Sequence, residues 1–237
     1  MSNEITILLI TAASVGFIHT LLGPDHYIPF IVMSKAGKWS TVKTVWVTIL
    51  SGVGHVLSSV VLGAIGISFG IALGHLEIIE SVRGEIAGWL LISFGLIYFI
   101  WGVRRMYKKI PHKHWHSHPE GLAHSHDHTH KGEHAHVHTK ENIVNLTPWI
   151  LFTIFAFGPC EALIPVLMYP AATSNNMILF LVVLVFGITT IATMLSVVLI
   201  SVYGIKMIPV GKFEKYSHAL AGLLIFLSGA AIQFMGL

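Results

Sequence analysis

Long apolar stretches separated by short clusters of charged residues dominate the chain. A helix needs about 20 apolar residues to cross the hydrocarbon layer of a membrane. Read against glycine, proline and charged breakers, the pattern supplies six such segments. We place the predicted spans at residues 5–33, 42–73, 85–103, 149–169, 177–203 and 218–235. The sequence therefore predicts an all-α polytopic membrane protein.

The composition agrees with this class. Of the 237 residues, 54% are hydrophobic and 11% are charged, whereas about a quarter of the residues of soluble domains are charged. The first span follows Glu4 rather than a basic segment and is longer than a secretory signal, so we expect a retained helix. The single cysteine, Cys160, has no Cys-x-x-Cys partner, which argues against a thiol-disulfide electron carrier.

Charges beside the spans predict an orientation. The connections after spans one, three and five are rich in lysine and arginine, whereas the opposite side carries Glu4, Glu77, Glu80 and one arginine, Arg83. The positive-inside rule then puts both termini outside the cytoplasm. We expect an integral protein of a prokaryotic plasma membrane. Because the net charge is only +3 and the basic residues lie at helix ends, we expect no nucleic-acid partner.

The two halves of the chain resemble each other. Gly23-Pro24 in span one and Gly158-Pro159 in span four are each followed by a second proline. Spans three and six align without a gap, since a series of small residues in one matches the other: Ala87, Gly88, Gly95 and Gly102 with Ala221, Gly222, Gly229 and Gly236.

These matches divide the chain into two three-span units, residues 1–110 and 148–237, joined by a loop at residues 111–147. Three is odd, so the second unit must enter the membrane in the opposite sense, as a 3+3 inverted repeat with spans one and four broken. In transporters of that plan, substrates bind near the midplane where broken helices meet. The alternative is that both breaks are ordinary structural kinks.

Span one carries ionisable residues inside an apolar stretch, where each costs several kcal/mol unless it is paired or hydrated. A straight helix would put His19 and His26 about 10 Å apart, and the Gly23-Pro24 break allows His19, Asp25 and His26 to surround one point. His55 in span two is a fourth candidate ligand, and Glu161 in the second break is a fifth that would add negative charge.

Imidazole with carboxylate suits nickel, cobalt, zinc or copper better than calcium or magnesium. Structural alternatives remain for the same residues. Asp25 with His26 is also the pattern of a helix cap, and His55 is equally explained as a hydrogen-bonded histidine between helices.

The loop between spans three and four is a histidine-rich tract. Neutral imidazole is the commonest metal ligand, so the tract predicts gathering of metal ions on the cytoplasmic side, and a solvated linker is the alternative. Its eleven histidines are His112, His114, His116, His118, His124, His126, His128, His130, His134, His136 and His138.

Residues 19–26, 51–55 and 157–165, together with the histidine-rich loop, resemble the nickel/cobalt transporter superfamily, including its efflux permeases and the urease-accessory-type membrane proteins. Importers of that superfamily usually place four residues between the first histidine and the Asp-His pair, and here five intervene. The Gly-Pro-Cys-Glu segment is more similar to the efflux and sulfite-exporter-like branches. The resemblance implies a six-helix transporter and favours export over uptake.

The leading hypothesis is a secondary carrier for Ni²⁺ or Co²⁺, driven by proton exchange and directed outward. It needs no tightly bound cofactor beyond the transported ion, and no nucleotide-binding loop or His-Glu-x-x-His motif suggests an enzyme. The alternatives are a carrier for zinc or another transition metal, and a membrane metallochaperone that serves a metalloenzyme without net transport. A sulfur-oxyanion exporter would need basic groups at the midplane.

Overall fold

A computed structural model describes residues 3–71, 73–107, 112–117, 123–128, 146–158, 160, 162–172, 175–207 and 215–235. The first span is α1 (Asn3–Leu22), a 3-10 turn (Pro24–His26) and α2 (Ile28–Ala36). The other elements are α3 (Thr41–Ser68), α4 (Leu73–Tyr107), β1 (His112–Ser117), β2 (Ala123–His128), α5 (Thr147–Phe157), α6 (Leu163–Ala172), α7 (Asn176–Lys206) and α8 (Ser217–Met235).

The long helices have the length and composition of membrane spans. Five helices of the described chain qualify: α1, α3, α4, α7 and α8. The 11-residue α5 and the 10-residue α6 are each too short to cross a bilayer and lie on either side of the second break. Large apolar side chains such as Ile97 and Ile200 point outward, as expected for helices in contact with lipid. The chain is therefore membrane-embedded, and its spans are helical.

One predicted connection is wrong. The sequence pattern suggested a loop at residues 74–84, but α3 already ends at Ser68 and α4 begins at Leu73. No proline interrupts this region, and Leu76 is buried against Gly66 of α3, so the helix extends well before the predicted start at residue 85. Glu77, Glu80 and Arg83 thus lie on α4 rather than in an exposed loop.

Small residues set the contact between α4 and α8. The backbone of Phe226 lies directly against Gly95, and the backbone of Phe99 lies against Gly222. Any side chain at either glycine would collide with the facing helix. These glycines therefore let α4 and α8 approach closely. Gly236, the last of the matched glycines, lies outside the described residues.

The helices also pack in corresponding pairs. Helix α1 contacts α7 and α5 contacts α3, while α2 contacts α8 and α6 contacts α4. Each pair joins a half of one broken span to a helix from the opposite half of the chain. His26 at the first break and Cys160 at the second are both buried.

Part of the histidine-rich loop forms a short antiparallel hairpin. The register places His112 opposite His128, His114 opposite His126, and His116 opposite His124. The loop residues His118, His130, His134, His136 and His138 lie outside the described residues.

Candidate metal centre

The site begins where α1 ends. The last intrahelical bond runs from Gly23 N to His19 O at 3.0 Å, after which Pro24 offers no backbone donor. Gly23 is extended (φ −84°, ψ 100°) and the chain then makes one 3-10 turn, closed by His26 N donating to Gly23 O at 3.1 Å. A side chain at Gly23 would lie 2.5 Å from His26 Nδ1 and 2.9 Å from Asp25 Oδ1. The break thus depends on glycine as well as proline.

The break brings the predicted histidines together. The ring centroids of His19 and His26 lie 4.8 Å apart, and His55 on α3 lies 5.0 Å from His26 and 6.3 Å from His19. One ligand atom from each ring lies within 4.8 Å of the others. The structure thus brings three of the predicted ligands together at the break.

The three rings share an unusual property: the Nε2 atoms of His19, His26 and His55 are buried and have no hydrogen-bond partner in the described part of the chain. Leaving a buried polar atom unpaired costs about 1–3 kcal/mol. Metal coordination would satisfy all three atoms at once. Hydrogen bonds within the described chain therefore do not account for these three Nε2 atoms.

The opposite nitrogens of two rings are held in place. His26 Nδ1 lies 2.9 Å from Asp25 Oδ1, and His55 Nδ1 lies 3.3 Å from Phe155 O at the end of α5. A proton on Nδ1 donates to these acceptors and leaves the Nε2 lone pair free for a ligand bond. Metal-binding histidines are typically oriented by such carboxylate and carbonyl partners.

Asp25, which the sequence predicted as a ligand, does not lie among the grouped ligand atoms. Its carboxylate contacts the far side of His26, and the group of possible ligand atoms contains only the three histidines. In this arrangement Asp25 orients His26 and supplies one negative charge close to the site. It makes no capping bond for the 3-10 turn, whose N-cap is Gly23.

The spacing of the rings suits a small transition-metal ion after a slight contraction. Nitrogens bonded to one ion at about 2.1 Å lie within roughly 4 Å of each other. The ligand atoms here lie within 4.8 Å of one another. Displacements of about 1 Å in the rings would bring the three nitrogens to coordination distance. Three imidazoles leave at least one coordination position open, which is compatible with an ion that must enter and leave.

Aromatic side chains cover the site. Phe155 packs 4.8 Å from His55 and 5.4 Å from both His26 and Phe30, measured between ring centroids. Gly54 lies against Phe152 and Ala156, so the missing side chain lets α5 approach α3 closely enough to bring Phe155 onto the rings. His26 and His55 are almost fully buried as a result.

The second break contains a network that the sequence did not predict. Helix α5 ends at Phe157, and Cys160 N donates to Ser59 Oγ at 3.1 Å and to Glu80 Oε2 at 3.2 Å. Arg83 forms an ion pair with Glu80 and donates to Ser58 Oγ at 2.8 Å. Glu161, the fifth predicted ligand, lies outside the described residues.

A signal for this network was present in the sequence. Ser59 follows His55 by four residues, and Arg83 follows Glu80 by three, so each pair shares one helical face. The charges suggested a loop, but Glu80 is 0% exposed and its partners come from α3 and the second break.

Searches of protein families, of curated proteins and of solved structures found no match to this chain.

Proposed function

We propose that this protein is a secondary carrier that moves a divalent transition metal ion across the membrane, with His19, His26 and His55 as the transient ligands. Asp25 orients His26 and offsets part of the ion's charge. The substrate is Ni²⁺ or Co²⁺, with Zn²⁺ as the alternative that the same ligands accept.

The observation that carries the proposal is the set of three buried, unpartnered Nε2 atoms at the break of a membrane span. It goes beyond the two structural alternatives. His55 does hydrogen-bond between helices, through Nδ1 to Phe155 O of α5, but that bond leaves its Nε2 unpaired. A capping pair would turn Asp25 toward a backbone N–H rather than toward the ring of His26.

The helix pairs support the inverted repeat. Exchanging the two halves turns the α1–α7 contact into α5–α3, and the α2–α8 contact into α6–α4, and both members of each exchange are present. Alternating access in such proteins comes from rocking of one repeat against the other around a fixed site. His19, His26 and His55 all belong to the first repeat, and Phe155 of the second repeat packs on His26 and His55. Movement of one repeat against the other would therefore uncover the ligands.

Outward transport, with the histidine-rich loop collecting ions in the cytoplasm, is the direction we propose. It combines the positive-inside assignment with the resemblance of residues 157–165 to efflux permeases. The tract, whose described histidines are register partners in the β1–β2 pair, would offer weak sites that raise the local ion concentration.

The test is metal flux into sealed proteoliposomes that contain a metal-sensitive dye. We expect flux of nickel or cobalt above that of protein-free vesicles, and its loss in His55→Ala. His75→Ala is the matched control, because His75 is an exposed histidine of α4. Metal binding without flux would replace the carrier with the metallochaperone, and zinc flux alone would change the substrate.

A further inference from the structure

Helix α3 carries a continuous polar column on its buried face. The members recur every three or four residues and therefore line one side of the helix over about 22 Å. All are at most 1% exposed, in a helix whose other faces are apolar. They are Thr44, Thr48, Ser51, His55 and Ser59.

Two hydroxyls on one side of His55 have no partner. Thr48 Oγ1 and Ser51 Oγ are buried and unbonded within the described chain, and so is Thr190 Oγ1 on α7, which packs against α3. Hydroxyls in membrane helices usually bond back to a carbonyl four residues earlier, as Ser68 does to Ala64. Unpaired hydroxyls in a row are suited to contact a hydrated ion that passes.

The other side of His55 is closed. Ser59 Oγ donates to Glu80 Oε2 at 3.2 Å, and Arg83 reaches the carbonyl oxygens of Ala156 and Gly158 at 3.4 and 3.5 Å. The guanidinium thus occupies the C-terminal end of α5, where the helix dipole favours a cation. It lies one turn of α3 beyond the histidine cluster.

An open cleft lies next to this ion pair. Its volume is about 580 Å³, and it is lined by Gly74, Glu77, Ile78, Ser81, Ala162 and Pro165. Glu77 and Ser81 are on the same helix as Glu80 but face the cleft, while Glu80 faces the interior. The ion pair therefore lies between this cleft and the histidines.

We propose that the polar column of α3 is the path of the ion and that the Glu80–Arg83 pair is the gate at its cleft end. This inference rests on the proposed function. The Thr48–Ser51 side leads to the histidine cluster, and the cleft side opens only when Arg83 leaves the carbonyls of α5.

Cys160 reports on the gate, because its backbone is bonded to Glu80 and its side chain is fully buried. The double variant Glu80→Gln/Arg83→Gln removes the ion pair without leaving an unpaired charge. In sealed vesicles, tested with and without permeabilisation, we expect an impermeant maleimide to spare Cys160 in the wild type and to label it in the double variant.

Two controls separate opening from unfolding. Cys160→Ala in the double variant should abolish labelling. A cysteine at the buried position Ile225, introduced with Cys160→Ala, should remain unlabelled with or without the ion pair. Continued protection of Cys160 in the double variant, while the wild type still carries nickel, would overturn the gate and leave the proposed function intact. Absence of nickel flux in the wild type would overturn the proposed function itself.

The hydroxyl side of the path has its own test. Thr48→Val/Ser51→Ala should slow nickel flux and leave equilibrium nickel binding unchanged, because the ligands are untouched. Ser68→Ala is the control, since that hydroxyl is exposed and bonded within its own helix. Unchanged flux in the double hydroxyl variant would contradict the path.

Discussion

The two broken spans share a Gly-Pro step in the sequence, and different groups surround the two breaks. At the first break, a Gly-Pro step ends α1 and gathers three imidazoles whose Nε2 atoms are unpaired. At the second, α5 ends beside a Gly-Pro step. The backbone N–H of Cys160 there donates to a serine and to a buried glutamate, and the carbonyl oxygen of Gly158 accepts from an arginine.

The difference distinguishes a candidate binding site at the first break from a closed contact at the second. Unpaired buried nitrogens are unfavourable until a ligand arrives, so the first break is prepared for an ion. The second break is already satisfied by hydrogen bonds and by opposite charges, so it is stable without one. On the proposed function, binding belongs to the first break and gating to the second.

The largest expected effect comes from removing one member of the Glu80–Arg83 ion pair. Arg83→Gln leaves the fully buried carboxylate of Glu80 without its ion-pair partner, and loss of one member of a buried ion pair costs about 3–5 kcal/mol. We expect the double variant Glu80→Gln/Arg83→Gln to recover most of that loss in denaturant unfolding of the detergent-solubilised protein. Equal stability of the single and double variants would show that the pair does not hold the second break.

The backbone of the first break provides the next test. Gly23→Ala places a methyl group 2.5 Å from His26 Nδ1, and such crowding typically costs about 1–3 kcal/mol. We expect weaker nickel binding in isothermal titration, because His26 must move. Gly204→Ala is the control, since nothing lies within 4 Å of that position. Unchanged affinity in Gly23→Ala would mean that the break tolerates a side chain.

A smaller effect is expected from the group that orients His26. Asp25→Asn keeps the shape and removes the charge, and loss of such a partner lowers metal affinity about 10–100-fold. The same titration measures it. Complete loss of binding would instead indicate that Asp25 is itself a ligand, as the sequence alone suggested.

Much of the fold can be predicted from the sequence because a helix that crosses lipid must be apolar over about 20 residues. Apolar length locates the spans, and Gly23-Pro24 explains how His19 and His26 meet despite a separation of seven residues. His55 could be selected because a histidine within a membrane helix is costly.

The remainder depends on contacts between distant segments. Glu80 and Arg83 look like loop residues until Ser59 and the backbone of Cys160 are placed around them. The role of Asp25 depends on which side of the His26 ring it contacts, and spacing does not determine that. The start of α4 was missed because charge was taken as a sign of exposure.

The most direct test is nickel flux at saturating nickel in vesicles containing His26→Ala or Glu80→Gln/Arg83→Gln, each compared with the wild type. The account predicts that flux falls to the protein-free level in His26→Ala and is retained or increased in the double variant. Flux that survives in His26→Ala would contradict the assignment of the ion to the first break.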